Sequence, residues 1–197
     1  MKLGLIADIH ADFDALTLAL DLLQKEGVDQ IVCAGDVVGK GPKGQAVVQL
    51  LETKEIPCIA GNHDRKMLRR ATADEQTLTF LKQLPATRSF TWEGRRVLVA
   101  HGLPWSDELG LFPFSERHVF KRVAHEAHAD VVILGHTHLP LMAQIDNVWI
   151  CNPGSVCSTY KIGSHSCATL TLPDCTYRAL NLGSGRSLWV RAIRFRR

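Results

Sequence analysis

The sequence predicts an α/β fold in which two packed sheets carry helices on their outer faces, within one domain that spans residues 1–197. Its first half alternates short apolar runs with amphipathic stretches, an order typical of parallel strands joined by crossover helices. After Pro140 the pattern changes to short alternating runs separated by turns, which indicates antiparallel strands. A chain of 197 residues is long enough to bury a sizeable core.

The N-terminal half predicts three buried strands and two helices. Asp12 or Asp14 is expected to cap the first helix, and Gly27 is expected to end it just after Glu26. The second helix follows a glycine-rich loop and has an apolar stripe. The expected strands span residues 2–7, 30–34 and 56–60, and the second helix spans residues 44–54.

Turn signals divide the second half into short elements. Glu93-Gly94 lies between two alternating segments and predicts a hairpin, and Pro85 is expected to end the helix before it. The basic segment 65–73 is expected to be loop-like or weakly helical. The expected helices span residues 74–84 and 115–128, the strands span 87–92, 95–100, 130–134, 141–145 and 148–151, and a final meander spans 166–172, 176–181 and 187–195.

Composition excludes several classes of protein. The hydrophobic fraction is 46% and the charged fraction 22%, as in ordinary globular proteins, and no run of about eighteen apolar residues predicts a membrane span. The N-terminus does not resemble a signal peptide, so a cytoplasmic protein with reduced, structural cysteines is expected. A net charge of +3 gives no expectation of nucleic-acid binding. The cysteines are Cys33, Cys58, Cys151, Cys157, Cys167 and Cys175, and the arginines of the basic C-terminus, expected to be a solvated strand, are Arg186, Arg191, Arg194, Arg196 and Arg197.

Metal-binding types of side chain follow the ends of five predicted strands. Gly61-Asn62-His63-Asp64 comes directly after residues 56–60, and the other four strand ends carry His or Asp in the same way. In open α/β sheets, ligands bind beyond the carboxyl ends of the strands. Excluding His63 and Asp64, the residues gathered there are Asp8, His10, Asp36, Asn62, His101, His136 and His138.

These seven residues predict a site for transition metals. Two carboxylates, one amide and four imidazoles are hard-to-borderline ligands suited to divalent ions. Seven ligands exceed the needs of one ion and fit two ions that share a carboxylate. Two dications, two aspartates and a hydroxide leave a net positive centre, which would attract a phosphate. The i, i+2 pairs are expected to point to one side of extended segments: Asp8 with His10, and His136 with His138.

The motifs around these residues resemble those of the calcineurin-like metallophosphoesterase superfamily, in particular its small bacterial phosphodiesterase branch. They are D-x-H at 8–10, G-D at 35–36, G-N-H-D at 61–64, H-G at 101–102 and G-H-T-H at 135–138. Asn152-Pro153-Gly154-Ser155 is similar to a further family feature. The resemblance implies a four-layer α-β-β-α sandwich of two mixed sheets flanked by helices, with a binuclear metal site.

The resemblance also implies how the metals are held. The ions would be divalent, with manganese first and iron, zinc or nickel as the other options. Each ion would have its own three ligands and share a seventh: Asp8, His10 and His138 for one ion, Asn62, His101 and His136 for the other, and Asp36 as the bridge.

For catalysis, the resemblance implies hydrolysis of phosphodiesters. A metal-bridging hydroxide would attack phosphorus in line, His63 would protonate the leaving oxygen as general acid, and Asp64 would orient His63. The expected partner is a phosphorylated small molecule or a nucleotide, with no membrane, and a homo-oligomer remains open.

The chain departs from the protein-phosphatase branch, which has an arginine in a G-D-x-V-D-R-G motif. Residues 35–41 read Gly-Asp-Val-Val-Gly-Lys-Gly, so Lys40 or Arg65 is the candidate for binding phosphate, and protein-phosphatase activity is not expected. The alternatives are a phosphomonoesterase, a nucleotide or dinucleoside polyphosphate hydrolase, and a non-catalytic protein-binding scaffold with the same fold.

For two other sets of residues, an ordinary structural role is one interpretation. The loop at 103–114 contains Trp105, Phe112 and Phe114, which could stack on a nucleobase or simply pack the loop. The remaining histidines are expected on the surface: His118, His125, His128 and His165.

Overall fold

The computed structural model describes residues 1–158 and 163–195 of the chain. Within these ranges, no helix is both long and apolar enough to cross a bilayer. All six cysteines are buried thiols. In order, the elements of the described chain are β1 (Lys2–Ile6), α1 (Phe13–Lys25), β2 (Gln30–Cys33), α2 (Gly44–Thr53), α3 (Asn62–Arg70), α4 (Glu75–Gln83), β3 (Thr87–Trp92), β4 (Arg95–Ala100), α5 (Arg117–Glu126), β5 (Val131–Ile133), β6 (Pro140–Ile145), β7 (Val148–Pro153), β8 (Ser166–Thr171), β9 (Thr176–Asn181) and β10 (Ala192–Phe195).

The strands form two mixed sheets, as predicted. The smaller sheet has the order β2-β1-β8-β9, with β1 parallel to β2 and antiparallel to β8. The larger sheet has the order β10-β6-β7-β5-β4-β3, in which β5 is parallel to both β4 and β7. Parallel neighbours end at the same edge of a sheet, so β1 ends beside β2, and β4 ends beside β5.

Three apolar cores separate four layers, which confirms the α-β-β-α sandwich. Central strands face a core on each side: in β5, Val131 and Ile133 face the other sheet, whereas Val132 faces α5. This is why these strands are continuous apolar runs rather than alternating ones. Representative buried residues are Leu16, Leu23 and Val47 under α1 and α2, Leu5, Val99 and Ile133 between the sheets, and Phe120, Val123 and Ile150 under α5.

Local signals fixed several boundaries. Asp12, rather than Asp14, caps α1 by accepting a hydrogen bond from the Ala15 N–H at 3.1 Å. β3 and β4 have the predicted bounds, and Glu93 and Gly94 between them both have positive φ, at 48° and 71°. A two-residue hairpin turn of this kind requires positive φ at both positions.

The predicted strand at residues 56–60 is wrong. This segment lies along β2 through a single parallel bridge between Cys33 and Cys58, with Ile59 N–H donating to the Cys33 carbonyl at 3.2 Å. Pro57 has no N–H to donate, so only a short extended stretch forms at this edge.

The predicted C-terminal meander is also wrong. β8 and β9 pair in the smaller sheet, but β10 crosses to the larger sheet and pairs in parallel with β6. The Phe195 ring packs on Phe120 with centroids 5.6 Å apart, and this apolar contact draws β10 to the outer core. Arg196 and Arg197 lie outside the described residues.

Phe120→Ala is expected to lower the free energy of unfolding by about 3–5 kcal/mol, because Phe120 is fully buried between α5 and the larger sheet. Chemical denaturation monitored by circular dichroism measures the change. The matched control is Phe114→Ala. The Phe114 side chain is 78% exposed, so its removal should change the free energy of unfolding by less than about 0.5 kcal/mol. Equal effects of the two substitutions would contradict the assignment of Phe120 to a core.

Candidate metal centre

The two sheets meet where their parallel strands end. Gly135, just after β5, donates its N–H to the His101 carbonyl at 2.8 Å, within the larger sheet. His136 N–H donates to Asp8 Oδ2 at 2.9 Å, which joins the larger sheet to the smaller one. A Cβ on Gly135 would lie 2.9 Å from the Ala34 carbonyl oxygen, so this close approach requires glycine. The structure thereby brings all seven predicted ligands to one place.

The backbone turns sharply at five of the seven predicted ligands. Their φ angles lie between 50° and 68°, in the left-handed region that non-glycine residues rarely adopt. The sequence-based reason for their convergence is therefore wrong: the i, i+2 pairs do not lie on extended segments, and left-handed turns direct the side chains instead. Such conformations cluster at functional sites. The five are Asp8, His10, Asp36, His136 and His138.

The candidate ligands Asp8, His10 and His138 lie together as a first ligand group. The His138 Nε2 atom lies 3.2 Å from His10 Nε2 and 3.3 Å from Asp8 Oδ1. Donor atoms bound to one cation at about 2.1 Å lie about 3.0–3.4 Å apart, so this spacing fits a shared ion. Asp8 Oδ1 is buried and accepts no hydrogen bond from the described residues, as expected of an oxygen that binds a cation.

The candidate ligands Asn62, His101 and His136 lie together as a second ligand group. Asn62 Oδ1 lies 3.2 Å from His101 Nε2 and 3.3 Å from His136 Nδ1. His101 Nδ1 donates to the Ala34 carbonyl at 2.8 Å, which fixes the ring orientation and leaves Nε2 directed at the centre. Burial opposes a charge on His101, but the Asp36 carboxylate outweighs it and raises the pKa of the imidazole to about 10. The surroundings of Nε2 thus favour positive charge, which a metal ion also supplies.

Asp36 lies between the two groups. Its Oδ2 atom is 3.7 Å from His10 Nε2 and 3.4 Å from His101 Nε2, so a single oxygen faces both groups. Its other oxygen, Oδ1, accepts the His63 backbone N–H at 2.8 Å. Burial raises the pKa of Asp36, but the His101 imidazole overcomes this and holds it below its usual range. Asp8, Asp36 and His101 also offer atoms within 4.8 Å of one another, so both carboxylates are close to the second group.

Gly61 caps α3, and Asn62, His63 and Asp64 form its first turn. The sequence predicted a loop-like or weakly helical segment that begins only at residue 65, so the helix starts earlier than expected. The sequence missed this start because Gly61 offers no side-chain cap. Gly61 is needed for another reason: a Cβ there would collide with the Asp36 carboxylate and approach the Asp36 nitrogen to 2.5 Å. The glycine lets α3 bring Asn62 and His63 against Asp36.

Asp64 has a different role from the one predicted. Its buried carboxylate accepts hydrogen bonds from the N–H groups of Val37 and Val38, at 3.2 and 2.9 Å, and from Gly61 at 2.9 Å. Within the described chain these three backbone groups, rather than the His63 ring, are its partners. Asp64 therefore joins the loop after β2 to the start of α3. Sequence could not reveal this, since the donors on that loop lie 26 and 27 residues away.

His63 lies beside the first ligand group. Its ring is edge-on to His10, with centroids 5.0 Å apart and planes at 84°. Burial lowers the pKa of His63, and the Asp36 carboxylate opposes part of this change. The ring is half-buried, so it can reach a ligand that enters from solvent.

Asn152 is a supporting residue whose role the sequence did not reveal, although its motif was noticed. Its side-chain N–H groups donate to the Gly135 carbonyl at 2.6 Å and to Thr137 Oγ1 at 3.2 Å, and its Oδ1 accepts from Gly154 N–H at 2.8 Å. The buried amide thereby holds the His-Thr-His turn in position.

The loop at residues 103–114 is anchored to its surroundings. Arg65 Nε contacts Asp107 Oδ2 at 2.6 Å, and the Arg122 guanidinium lies 4.0 Å from the centre of the Trp105 ring. Trp105 thus packs the loop, whereas Phe114 is 78% exposed and stacks on Phe112.

Three of the four histidines that were expected at the surface do lie there: His118, His125 and His128. The fourth, His165, is partly buried.

Comparison with known proteins identifies the family. A model described as the calcineurin-like phosphoesterase superfamily domain matches residues 1–174. The chain belongs to this superfamily. It is a metal-dependent phosphoesterase, and the donor groups around Asp8 and Asp36 fit the divalent ions that the family uses.

Three relatives illustrate the range of similarity. The phosphodiesterase YfcE of Escherichia coli strain K12 is 26% identical over 161 residues, which cover 79% of each protein. A symmetrical bis(5'-nucleosyl)-tetraphosphatase of Psychromonas ingrahamii is 34% identical over 71 residues, 34% of this chain and 26% of that protein. The structure of a metallophosphoesterase from Sphaerobacter thermophilus matches with a TM-score of 0.71 and 23% identity, over 92% of this chain and 89% of that one.

Gly61→Ala is expected to lower the affinity for divalent metal at least about tenfold, because the added methyl group pushes α3 away from Asp36 and separates Asn62 from His101. Metal content after dialysis against a chelator series, measured by mass spectrometry, reports the change.

The control for this substitution is Gly183→Ala, since Gly183 has an open environment with only Asn181 Oδ1 at 3.6 Å. It should leave metal binding unchanged. An unaltered metal affinity in Gly61→Ala would mean that the position of α3 does not set the second ligand group.

Proposed function

We propose that the protein hydrolyses phosphodiesters at a centre that holds two divalent ions. The observation that carries this proposal is the position of Asp36 Oδ2 between two groups of three donors. The mixture of imidazole, carboxylate and amide donors suits manganese, iron, zinc or nickel, with manganese as our first candidate. The similarity to a protein named as a phosphodiesterase over 79% of both chains supports the diester preference.

Two bound cations would polarise the phosphate and activate water, and the residues of the chain would position both. Asp8 and Asp36 contribute two negative charges, and two divalent cations would contribute four positive charges. The loaded site would therefore stay positive and attract a phosphate oxyanion. The left-handed turns and the hydrogen bond from His101 to Ala34 hold the donors in place before the ions bind.

His63 would donate a proton to the leaving oxygen. It lies against His10 and is half-buried, so its ring can reach the leaving oxygen of a phosphate that enters from solvent. Asp64 would contribute by fixing α3 through its three backbone hydrogen bonds. Lys40 is the candidate for binding a phosphate oxygen because it lines the same cleft as His63, whereas Arg65 contacts Asp107.

Hydrolysis of dinucleoside polyphosphates is a second candidate. It is favoured by the 34% identity to the tetraphosphatase, which covers 34% of this chain. A protein-binding scaffold with this fold needs neither a proton donor nor a complete set of donors around Asp36, so the presence of both argues against that role.

Asp36→Asn is expected to lose both ions, because it replaces the shared oxygen charge while keeping the size of the side chain and the acceptor for the His63 N–H. Wild-type protein should hold two ions per chain and hydrolyse bis(4-nitrophenyl) phosphate in added manganese, and the variant should do neither. Elemental analysis and release of nitrophenol measure the two properties.

Asp14→Asn is the matched control, since Asp14 is 77% exposed at its side chain and should have no effect. Two full-occupancy ions in Asp36→Asn would refute the bridging role. Two ions in the wild type without any turnover would favour the scaffold.

His63→Ala should keep both ions and slow the hydrolysis of diesters with poor leaving groups most, since a poor leaving group needs the proton. We expect a loss of about 10²–10⁴-fold for alkyl leaving groups and a smaller loss for nitrophenyl. A plot of rate against leaving-group pKa checks this. Parallel lines for wild type and variant would argue against His63 as the acid.

A further inference from the structure

A cleft beside His63 is lined by cationic side chains. Its volume is about 230 Å³, and it lies between the loop after β2 and the outer face of α3. Lys40 comes from the loop, and Lys66 and Arg70 come from successive turns of the helix. No acidic residue lines it within the described chain.

The two cations that α3 contributes to the cleft, Lys66 and Arg70, have no partner in the described part of the fold. Arg65 on the same helix contacts Asp107, but neither Lys66 nor Arg70 makes a hydrogen bond or an ion pair with the described residues. They are separated by four positions, so they lie on one helix face, where like charges destabilise a helix by about 0.2–0.5 kcal/mol. An anion bound between Lys66 and Arg70 would relieve this repulsion.

The cleft is continuous with the proposed active site. Gly39 lines it and lies directly against His63, because a Cβ on Gly39 would be 3.0 Å from His63 Cβ and 3.2 Å from Nδ1. A substrate that reaches His63 therefore has the cationic cleft beside it.

We propose that Lys66 and Arg70 bind a second phosphate group of the substrate, next to the phosphate that is cleaved. This inference rests on the proposed phosphoesterase function and narrows it to polyphosphate esters, such as nucleotides with a chain of phosphates. An arginine can bind phosphate through two parallel hydrogen bonds, and a lysine adds a point charge. The volume is large enough for a phosphate group, and the cationic lining suits an anion rather than an apolar ligand.

The test compares a substrate with one phosphate, bis(4-nitrophenyl) phosphate, with diadenosine tetraphosphate, which has four. In the double variant Lys66→Gln/Arg70→Gln, the ratio of kcat/KM for the tetraphosphate to kcat/KM for the diester should fall about tenfold or more relative to wild type, the change expected from losing charge-assisted hydrogen bonds. Binding of the non-hydrolysable methylene-bridged tetraphosphate, measured by calorimetry on the metal-loaded protein, should weaken by a similar factor.

Arg69→Gln is the control, because Arg69 is an exposed cation on the same helix that does not line the cleft. It should leave both the ratio and the binding unchanged, which separates a local contact from long-range attraction. An unchanged ratio and unchanged binding in the double variant would overturn the subsite, as would an equal effect of Arg69→Gln.

The two readouts keep the subsite and the proposed function apart. If wild type hydrolyses neither compound but the double variant binds the analogue about tenfold more weakly, the proposed function fails and the subsite stands. If wild type hydrolyses the diester and neither binds nor cleaves the tetraphosphate, the function stands and the subsite fails.

Discussion

The metal centre depends on a close approach between the ends of two sheets. Gly135 lies against the Ala34 carbonyl, and Gly61 lies against Asp36, at distances that leave no room for a side chain. The first approach brings together donors from different sheets, since Asp8 comes from the smaller sheet and His136 from the larger. The second brings the start of α3, with Asn62, against the loop that carries Asp36. Without these two approaches, the same seven residues would be polar side chains on separate loops.

Holding these donors in place requires backbone conformations that are unfavourable in free energy. A left-handed backbone costs roughly 1–2 kcal/mol for each non-glycine residue, and five of the predicted ligands adopt it. Hydrogen bonds compensate locally, as when Asp8 and His10 donate their N–H groups to the carbonyls of Gly35 and Asp36. The contact between Asp36 and His101 lowers the pKa of the carboxyl group and raises the pKa of the imidazole, because each group stabilises the charged form of the other. A binding site, rather than a stability requirement, accounts for such an arrangement.

Sequence patterns predicted most elements and placed the ligands at the strand ends, because apolar runs and turn residues are local signals. β3, β4 and their turn follow directly from alternation around Glu93-Gly94. Two kinds of feature could not be read this way. The sheet that β10 joins depends on packing of Phe195 against Phe120, which are far apart in sequence. The partners of Asp64 are backbone N–H groups, and backbone groups carry no sequence signature.

The division of ligands between layers has a mechanical consequence. Asp8 and Asp36 follow strands of the smaller sheet, and His101 and His136 follow strands of the larger one. Ions held by both sets would link the two sheets at one edge. This link would add to the apolar core that joins the sheets elsewhere. Because a ligand that binds only the folded chain stabilises it, the free energy of unfolding would rise with the concentration of free metal.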